Sequence, residues 1–499
     1  MTTIHRISTV VLLTFLLLAW WFVPGTMRTA ASYPDTADIG QSFILDWSQD
    51  GDDDGGQLGY AVGTSGNVNG DSYADIIIGA PTGTYTVDKE GVAYVFYGSP
   101  GGPDSFPDWT AGGGSGQSGS LFGGAVSTAG DVNGDGYDDV IVGAENYKNL
   151  PLKGTFGGAF VFYGSFSGLA SSPGWTLVGN QKDSYLGIAV GTAGDVNGDT
   201  YDDVIIGASG YGNGEALEGM MYVFFGATDG LTTTRVFTFE SNQTGAIFGT
   251  AVGAAGDVNG DGYDDITVGA PQYDVPGTAD VGAAFVFFGT GDGISSTYTL
   301  LYGDQGGSRF GDAVSAAGDV NHDGYGDILV GAPFYDNNPQ DTKDAEGAAF
   351  IFLGSSTGVI TTPHRRLFSG GSGVQFGASV GAVGDANDDG YADVIIGAPY
   401  YTYDQSAEGA AFVYLGSPSG LSAGPIWRGE GNKADAMFGY AVGSAGDVDG
   451  DNFVDIIVGA PEYKIETVKR GRASVYLGTG DDTVVYNYIY LPLVMRASF

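Results

Sequence analysis

Cysteine is absent from the 499 residues. Its absence excludes disulfides, thiolate metal sites and a lipidated cysteine. Histidine is scarce too, with three in all, so Ser–His–Asp or Cys–His catalysis has little to build on. Basic residues are few: 18 Lys and Arg stand against 59 Asp and Glu, a net charge of −41. Nucleic acid is therefore not an expected partner, because its phosphates need a basic surface. Long apolar runs are also missing. The stretch Val10 to Val23 is 14 residues, short of the roughly 20 that a membrane helix needs. It follows His5 and Arg6 and precedes Thr29-Ala30-Ala31, so residues 1–31 read as a signal peptide cleaved before Ser32. No membrane span is expected in the mature chain, which is expected to be secreted or held at the cell surface. Helical periodicity is likewise lacking.

What is abundant is glycine, 89 residues, together with aromatic and β-branched side chains. That mixture favours short strands joined by tight turns. The stretch Asp257-Val-Asn-Gly-Asp-Gly-Tyr-Asp-Asp265, running directly into Ile-Thr-Val-Gly-Ala-Pro271, organises the rest. It places oxygen-bearing side chains at positions 1, 3, 5 and 9 of a nine-residue loop. A backbone carbonyl is available at position 7, and a glycine at position 6 takes the positive φ of a sharp turn. A hard cation such as Ca²⁺ takes about 6–8 oxygens, and alternating positions of a tight loop aim several inward.

The loop recurs seven times, with steps of 64, 64, 62, 62, 66 and 62 residues. The ligand sets are Asn67, Asn69, Asp71 and Asp75; Asp131, Asn133, Asp135 and Asp139; and Asp195, Asn197, Asp199 and Asp203. They continue with Asp257, Asn259, Asp261 and Asp265; Asp319, Asn321, Asp323 and Asp327; Asp385, Asn387, Asp389 and Asp393; and Asp447, Asp449, Asp451 and Asp455. Up to seven Ca²⁺ ions are expected. Loop 67–75 is expected to be weakest, with two carboxylates and Ser72 at the turn. Loop 195–203 comes next, because Thr200 replaces the turn glycine. Mg²⁺ is disfavoured by its demand for octahedral geometry, and soft metals by the all-oxygen set. The ions are expected to be structural, neutralising acidic turns rather than bridging to a ligand.

Each repeat carries four apolar pieces in order: Phe/Leu-Gly-x-Ala/Ser-Val, a piece ending in Gly-Ala-Pro, a third such as Gly282-Ala-Ala-Phe-Val-Phe-Phe-Gly289, and an aromatic-centred fourth such as Gly174-Trp175-Thr176. Four short strands per repeat of about 60 residues make one blade of a propeller. The seventh repeat lacks a fourth piece, and Phe43-Ile-Leu-Asp-Trp47 lacks a blade, so residues 43–48 are expected to complete the seventh blade. The expected fold is all-β, a seven-bladed β-propeller over residues 41–482, after a linker at 32–40 and before an apolar tail at 483–499.

The order Phe-Gly, Asp-x-Asn-x-Asp-Gly-x-x-Asp and Gly-Ala-Pro resembles the FG-GAP repeat, and the whole resembles the N-terminal seven-bladed propeller of integrin α subunits. The resemblance covers about residues 41–482. It implies that the metal loops join the first and second strands of each blade on one face, and that ligands approach the opposite face. The sequence departs from integrins in carrying the loop in every repeat, and no leg-like domain or transmembrane segment is expected after the propeller. The resemblance therefore concerns fold and motif, and does not imply integrin heterodimerisation or signalling.

An extracellular protein or glycan is the expected partner, and the chain is not expected to be an enzyme. A carbohydrate-active lyase or glycosidase using paired carboxylates and a purely structural envelope protein are the alternatives. His322, at position 4 of the fifth loop, reads as a solvated side chain, and His364 beside Arg365 and Arg366 as part of a basic patch. Tyr147, Tyr211, Tyr273, Tyr335, Tyr401 and Tyr463 fall at equivalent offsets after Gly-Ala, with Tyr85 displaced by two. Such tyrosines either ring the mouth of the propeller as ligand contacts or pack their own loops. Asn242-Gln243-Thr244 is a glycosylation sequon.

Overall fold

The computed structural model describes residues 43–234, 236–337 and 346–479. The expected signal peptide, the linker and the apolar tail lie outside them. Among the described residues there is no helix. Seven four-stranded antiparallel sheets form, one for each repeat. The first strand of each sheet packs on the first strands of both neighbours, and that of the seventh on that of the first, so the ring is closed.

The second strands explain why each blade holds together. Asp265–Ala270 and its six counterparts are buried along their whole length. A strand covered on both faces needs a continuous apolar run rather than an alternating one, which is what Ile-Thr-Val and its equivalents supply. The apolar clusters form between neighbouring blades. One example joins Met221 and Val223 of the third blade to Phe248, Ile266, Phe285 and Phe287 of the fourth. Phe248 is fully buried, its ring 5.0 Å from Phe285 in an edge-on arrangement. Burying such a side chain contributes about 1.5–3 kcal/mol.

The glycines of the repeat serve close backbone approach. A Cβ on Gly269 would lie 2.0 Å from the Gly311 carbonyl oxygen of the next blade. The Gly of Gly-Ala-Pro in one blade thus meets the Gly of Phe-Gly in the next, and the pair admits no side chain. The same seam is stitched by a parallel bridge between Gly282 and Phe310, repeated at each junction, including Leu58 with Gly471 where the chain closes on itself.

Closure is as the sequence predicts. Ile44–Asp50 is the outer strand of the seventh blade and pairs antiparallel with Arg472–Leu477, Ile44 facing Leu477 and Asp50 facing Arg472. Trp47 donates from its indole nitrogen to the Asp104 carbonyl of the first blade (3.1 Å). Trp427 of the sixth blade donates to Phe43 (3.2 Å). The N-terminal strand is therefore held from both sides.

Candidate metal centres

Each Asp-rich loop leaves the first strand of its blade and enters the second, as the resemblance implies. In the fourth loop, Asp257 accepts from the backbone N–H groups of Gly260 (2.6 Å), Asp261 (3.1 Å) and Gly262 (2.8 Å). Asn259 accepts from Asp261 (2.8 Å), and Asp261 from Tyr263 (3.1 Å). These are nested side-chain-to-backbone turns, the conformation that Asp and Asn favour. They hold the side chains of positions 1, 3 and 5 in one tight turn.

Position 9 has a further role. Asp265 is fully buried and accepts from Val258 (3.0 Å) and, across the blade, from Gly289 (2.8 Å). It thus ties the loop to the exit of the third strand. The same pair of bonds is made by Asp75, Asp139, Asp203, Asp327, Asp393 and Asp455. Burial pushes these carboxyls up, against the pull of the backbone N–H donors, to about 7 in most and about 8 in Asp139.

Position 6 has positive φ in every loop. The glycines there lie at +87° to +89°, and Ser72, Thr200 and Asn452 at +83°, +74° and +71°. Loops 67–75 and 195–203 also differ in their bonding. Asn67 accepts through Oδ1 alone, from Gly70 and Asp71. Asn197 turns inward and donates to Asp203 (3.3 Å).

Position 4 carries a constraint that the motif spacing does not reveal. A Cβ on Gly260 would lie 2.7 Å from the ring of Tyr325, position 7 of the next blade's loop. Gly70, Gly134, Gly198 and Gly450 meet Tyr137, Tyr201, Tyr263 and Tyr73 in the same way. His322 occupies this place in the fifth loop and packs edge-on against Tyr391, centroids 5.8 Å apart, so its ring has a neighbour rather than solvent alone.

The other face is formed by the segments entering the first strands and leaving the second. Tyr60, Gly124, Ile188, Thr250, Asp312, Ala378 and Tyr440, one per blade, line the channel there. Where the other blades carry a side chain, Gly124 leaves a notch. Beside it lies a cavity of about 320 Å³ bounded by Tyr60, Leu121, Ile188 and Glu145. Burial pushes the Glu145 carboxyl up.

The six loop tyrosines all pack within the protein. Tyr147, Tyr273, Tyr335 and Tyr401 sit edge-on against Phe160, Phe285, Phe350 and Phe412 of their own blades. Tyr211 packs with the cluster around Phe224, and Tyr463 lies beneath Arg472 (3.9 Å). Arg366 and Arg428 donate to the hydroxyls of Tyr335 (3.0 Å) and Tyr401 (3.2 Å). His364 uses Nε2 to reach the Ser419 carbonyl of the next blade (3.0 Å), a bond between blades.

A family model for the FG-GAP repeat matches residues 58–96, 122–163, 186–224, 248–287, 310–352, 376–414 and 438–476. The chain belongs to the FG-GAP repeat family. Among curated proteins it is similar to integrin alpha-5 of Xenopus laevis, 31% identical over 241 residues, 47% of this chain and 22% of that protein. It is similar to integrin alpha-PS2 of Drosophila melanogaster, 34% identical over 262 residues, 48% and 18% respectively. It is also similar to integrin alpha-3 of Cricetulus griseus, 28% identical over 285 residues, 56% and 25%. The chain thus spans about a quarter or less of the length of these relatives. A solved exotype rhamnogalacturonan lyase superposes with a TM-score of 0.43 at 12% identity, over 84% of this chain and 71% of that one.

The seventh FG-GAP loop fits a hard cation. Carboxylate oxygens of Asp447, Asp449 and Asp455 lie within 4.8 Å of one another. Oxygens bound to one Ca²⁺ at about 2.3–2.6 Å stand at most about 5 Å apart. In the other FG-GAP loops an asparagine takes the place of Asp449, which keeps an oxygen at that position and removes a charge.

Proposed function

We propose that this chain is an exported, calcium-binding β-propeller that serves as an extracellular binding or adhesion module. The observation that carries the reading is the run of seven FG-GAP repeats, with sequence similarity to integrin α chains over 47% and 48% of the chain. In each blade the side chains at positions 1, 3, 5 and 9 and the carbonyl at position 7 would hold Ca²⁺. The bound ion supplies positive charge that offsets the crowded carboxylates and braces the turn. Loops 67–75 and 195–203 would hold it most weakly. The leader-like residues 1–31 support export, and no helix among the described residues is long and apolar enough to cross a membrane.

The ligand face is the one opposite the metal loops, where the channel mouth and the Glu145 cavity lie. The partner is a protein or a glycan. On that face Tyr147, Tyr211, Tyr273, Tyr401 and Tyr463 would touch a ligand with the parts of their rings left exposed by their packing, whereas Tyr335 is buried and would contribute only by supporting Arg366. The test is to screen residues 32–499 against glycans and extracellular proteins, with Ca²⁺ and with chelator, and to check each captured ligand for turnover. Calcium-dependent capture of an unchanged ligand is the expected result. Cleavage of a captured glycan would overturn the reading in favour of an enzyme.

A further inference from the structure

Neighbouring metal loops are bonded to one another. At six of the seven junctions the backbone N–H at position 8 of one loop donates to the carbonyl at position 1 of the loop in the preceding blade. The bonds include Gly326 to Asp257 (2.8 Å), Ala392 to Asp319 (3.1 Å) and, across the closure, Ala74 to Asp447 (2.9 Å). Position 8 lies between two ligand positions, and position 1 is itself a ligand. Each amide bond therefore links one metal loop to the next.

Three junctions carry a second link. The carboxylate of Asp138 accepts from the backbone N–H of Asn67 (2.7 Å), that of Asp202 from Asp131 (2.9 Å), and that of Asp264 from Asp195 (3.0 Å). These carboxylates sit close against the preceding glycine: a Cβ on Gly66, Gly130 or Gly194 would lie 2.3 Å from the carboxylate oxygen. Position 8 is Gly326, Ala392, Val454 and Ala74 at the other junctions, which offer no such group. A Cβ on Gly256, the counterpart in the fourth blade, would meet nothing within 4 Å. The ring is thus uneven, with loops one to four tied by side chain as well as backbone and three of the other four junctions by this backbone bond alone.

We propose that Asp138, Asp202 and Asp264 are positioning residues that couple the first four metal loops, so that an ion in one loop strengthens binding in the preceding one. The inference rests on the calcium reading above. An ion bound at positions 7 and 9 of a loop fixes the intervening Asp, which then holds position 1 of the preceding loop in its ligating conformation. The same carboxylate places a negative charge between two cations that would otherwise repel. Order and charge favour the same sign. Loops five to seven, lacking the carboxylate, bind more independently.

The test is calcium titration followed by amide hydrogen exchange, which reports each loop on its own peptide. Asp264→Ala leaves positions 1, 3, 5, 7 and 9 of the fourth loop intact and copies a residue found at this position in the sixth blade. The expected result is a rise of about five-fold in the calcium midpoint of loop 195–203, within the usual span of site-to-site coupling, with loops 385–393 and 447–455 unchanged. Asp264→Asn is the second variant, with a smaller rise, since its amide oxygen still accepts. Asp261→Ala, which removes a ligand from the fourth loop, should weaken loop 195–203 more than loop 319–327. An unchanged midpoint at loop 195–203, or an equal shift at all seven, would overturn the coupling. Wild-type loops showing no calcium-dependent protection would instead overturn the calcium reading on which it stands.

Discussion

Arg472 and Asp50 lie 422 positions apart in sequence and meet in one bidentate pair, Nε to Oδ1 at 2.6 Å and a terminal guanidinium nitrogen to Oδ2 at 2.9 Å. The pair joins the first described strand of the chain to its last, at the one place where covalent continuity does not hold the ring closed. Both partners are partly exposed, so its strength is that of a well-formed surface pair. Arg472→Met should cost about 1 kcal/mol and should mostly speed exchange of amides in Ile44–Asp50, measured by hydrogen exchange. Equal loss of protection in all seven blades would contradict a local role at the closure.

Thr200 holds a φ of +74° where four other loops have glycine. A β-branched residue is strained there, whereas glycine is not. Thr200→Gly should stabilise the protein by about 1 kcal/mol and tighten calcium binding by loop 195–203. Chemical denaturation and exchange titration read the two effects. A destabilised variant would show that the threonine is held by contacts that outweigh its backbone strain.

Asp265 accepts two backbone N–H groups, one from 7 residues before it in the chain and one from 24 residues after it. An asparagine can accept through only one of its two terminal atoms. Asp265→Asn should therefore cost about 1–3 kcal/mol and remove one ion per chain in metal analysis. Full ion content with unchanged stability would show that position 9 is neither ligand nor clasp.

Glu145 stands where five of the seven repeats have proline, and burial raises its pKa above the usual 4.5. A carboxyl whose folded pKa is raised takes up protons on folding. Its cost is absent in acid, grows as pH climbs past the unfolded value, and is complete above the folded one. Glu145→Gln should leave stability near pH 4 unchanged and raise it at pH 8, where the buried carboxylate is charged. A variant that gains nothing at pH 8 would mean that the carboxylate is stabilised where it stands.

Much of this was legible in the sequence because the repeat reports it seven times. Phe-Gly, the Asp-rich loop and Gly-Ala-Pro recur at one spacing, so strand order, loop position and the closing role of residues 43–48 followed from period alone. What escaped were contacts between repeats. Gly260 faces Tyr325 of the next blade, and Asp264 faces Asp195 of the preceding one; each pair joins residues more than 60 positions apart and has no local signature. The regular offset of the six tyrosines was visible, but an offset does not say what a ring touches. The structure places Tyr273 on Phe285 and Tyr335 on Phe350. Glu145 and Gly124 each break the repeat pattern, and only the fold brings the two together beside one cavity.

The most direct test of the account is metal content and thermal stability on the same sample. Residues 32–499, dialysed against metal-free buffer, should retain several Ca²⁺ per chain, up to one for each of the seven loops, and chelator should lower the melting temperature. A chain that holds no calcium and melts at the same temperature in chelator would contradict it.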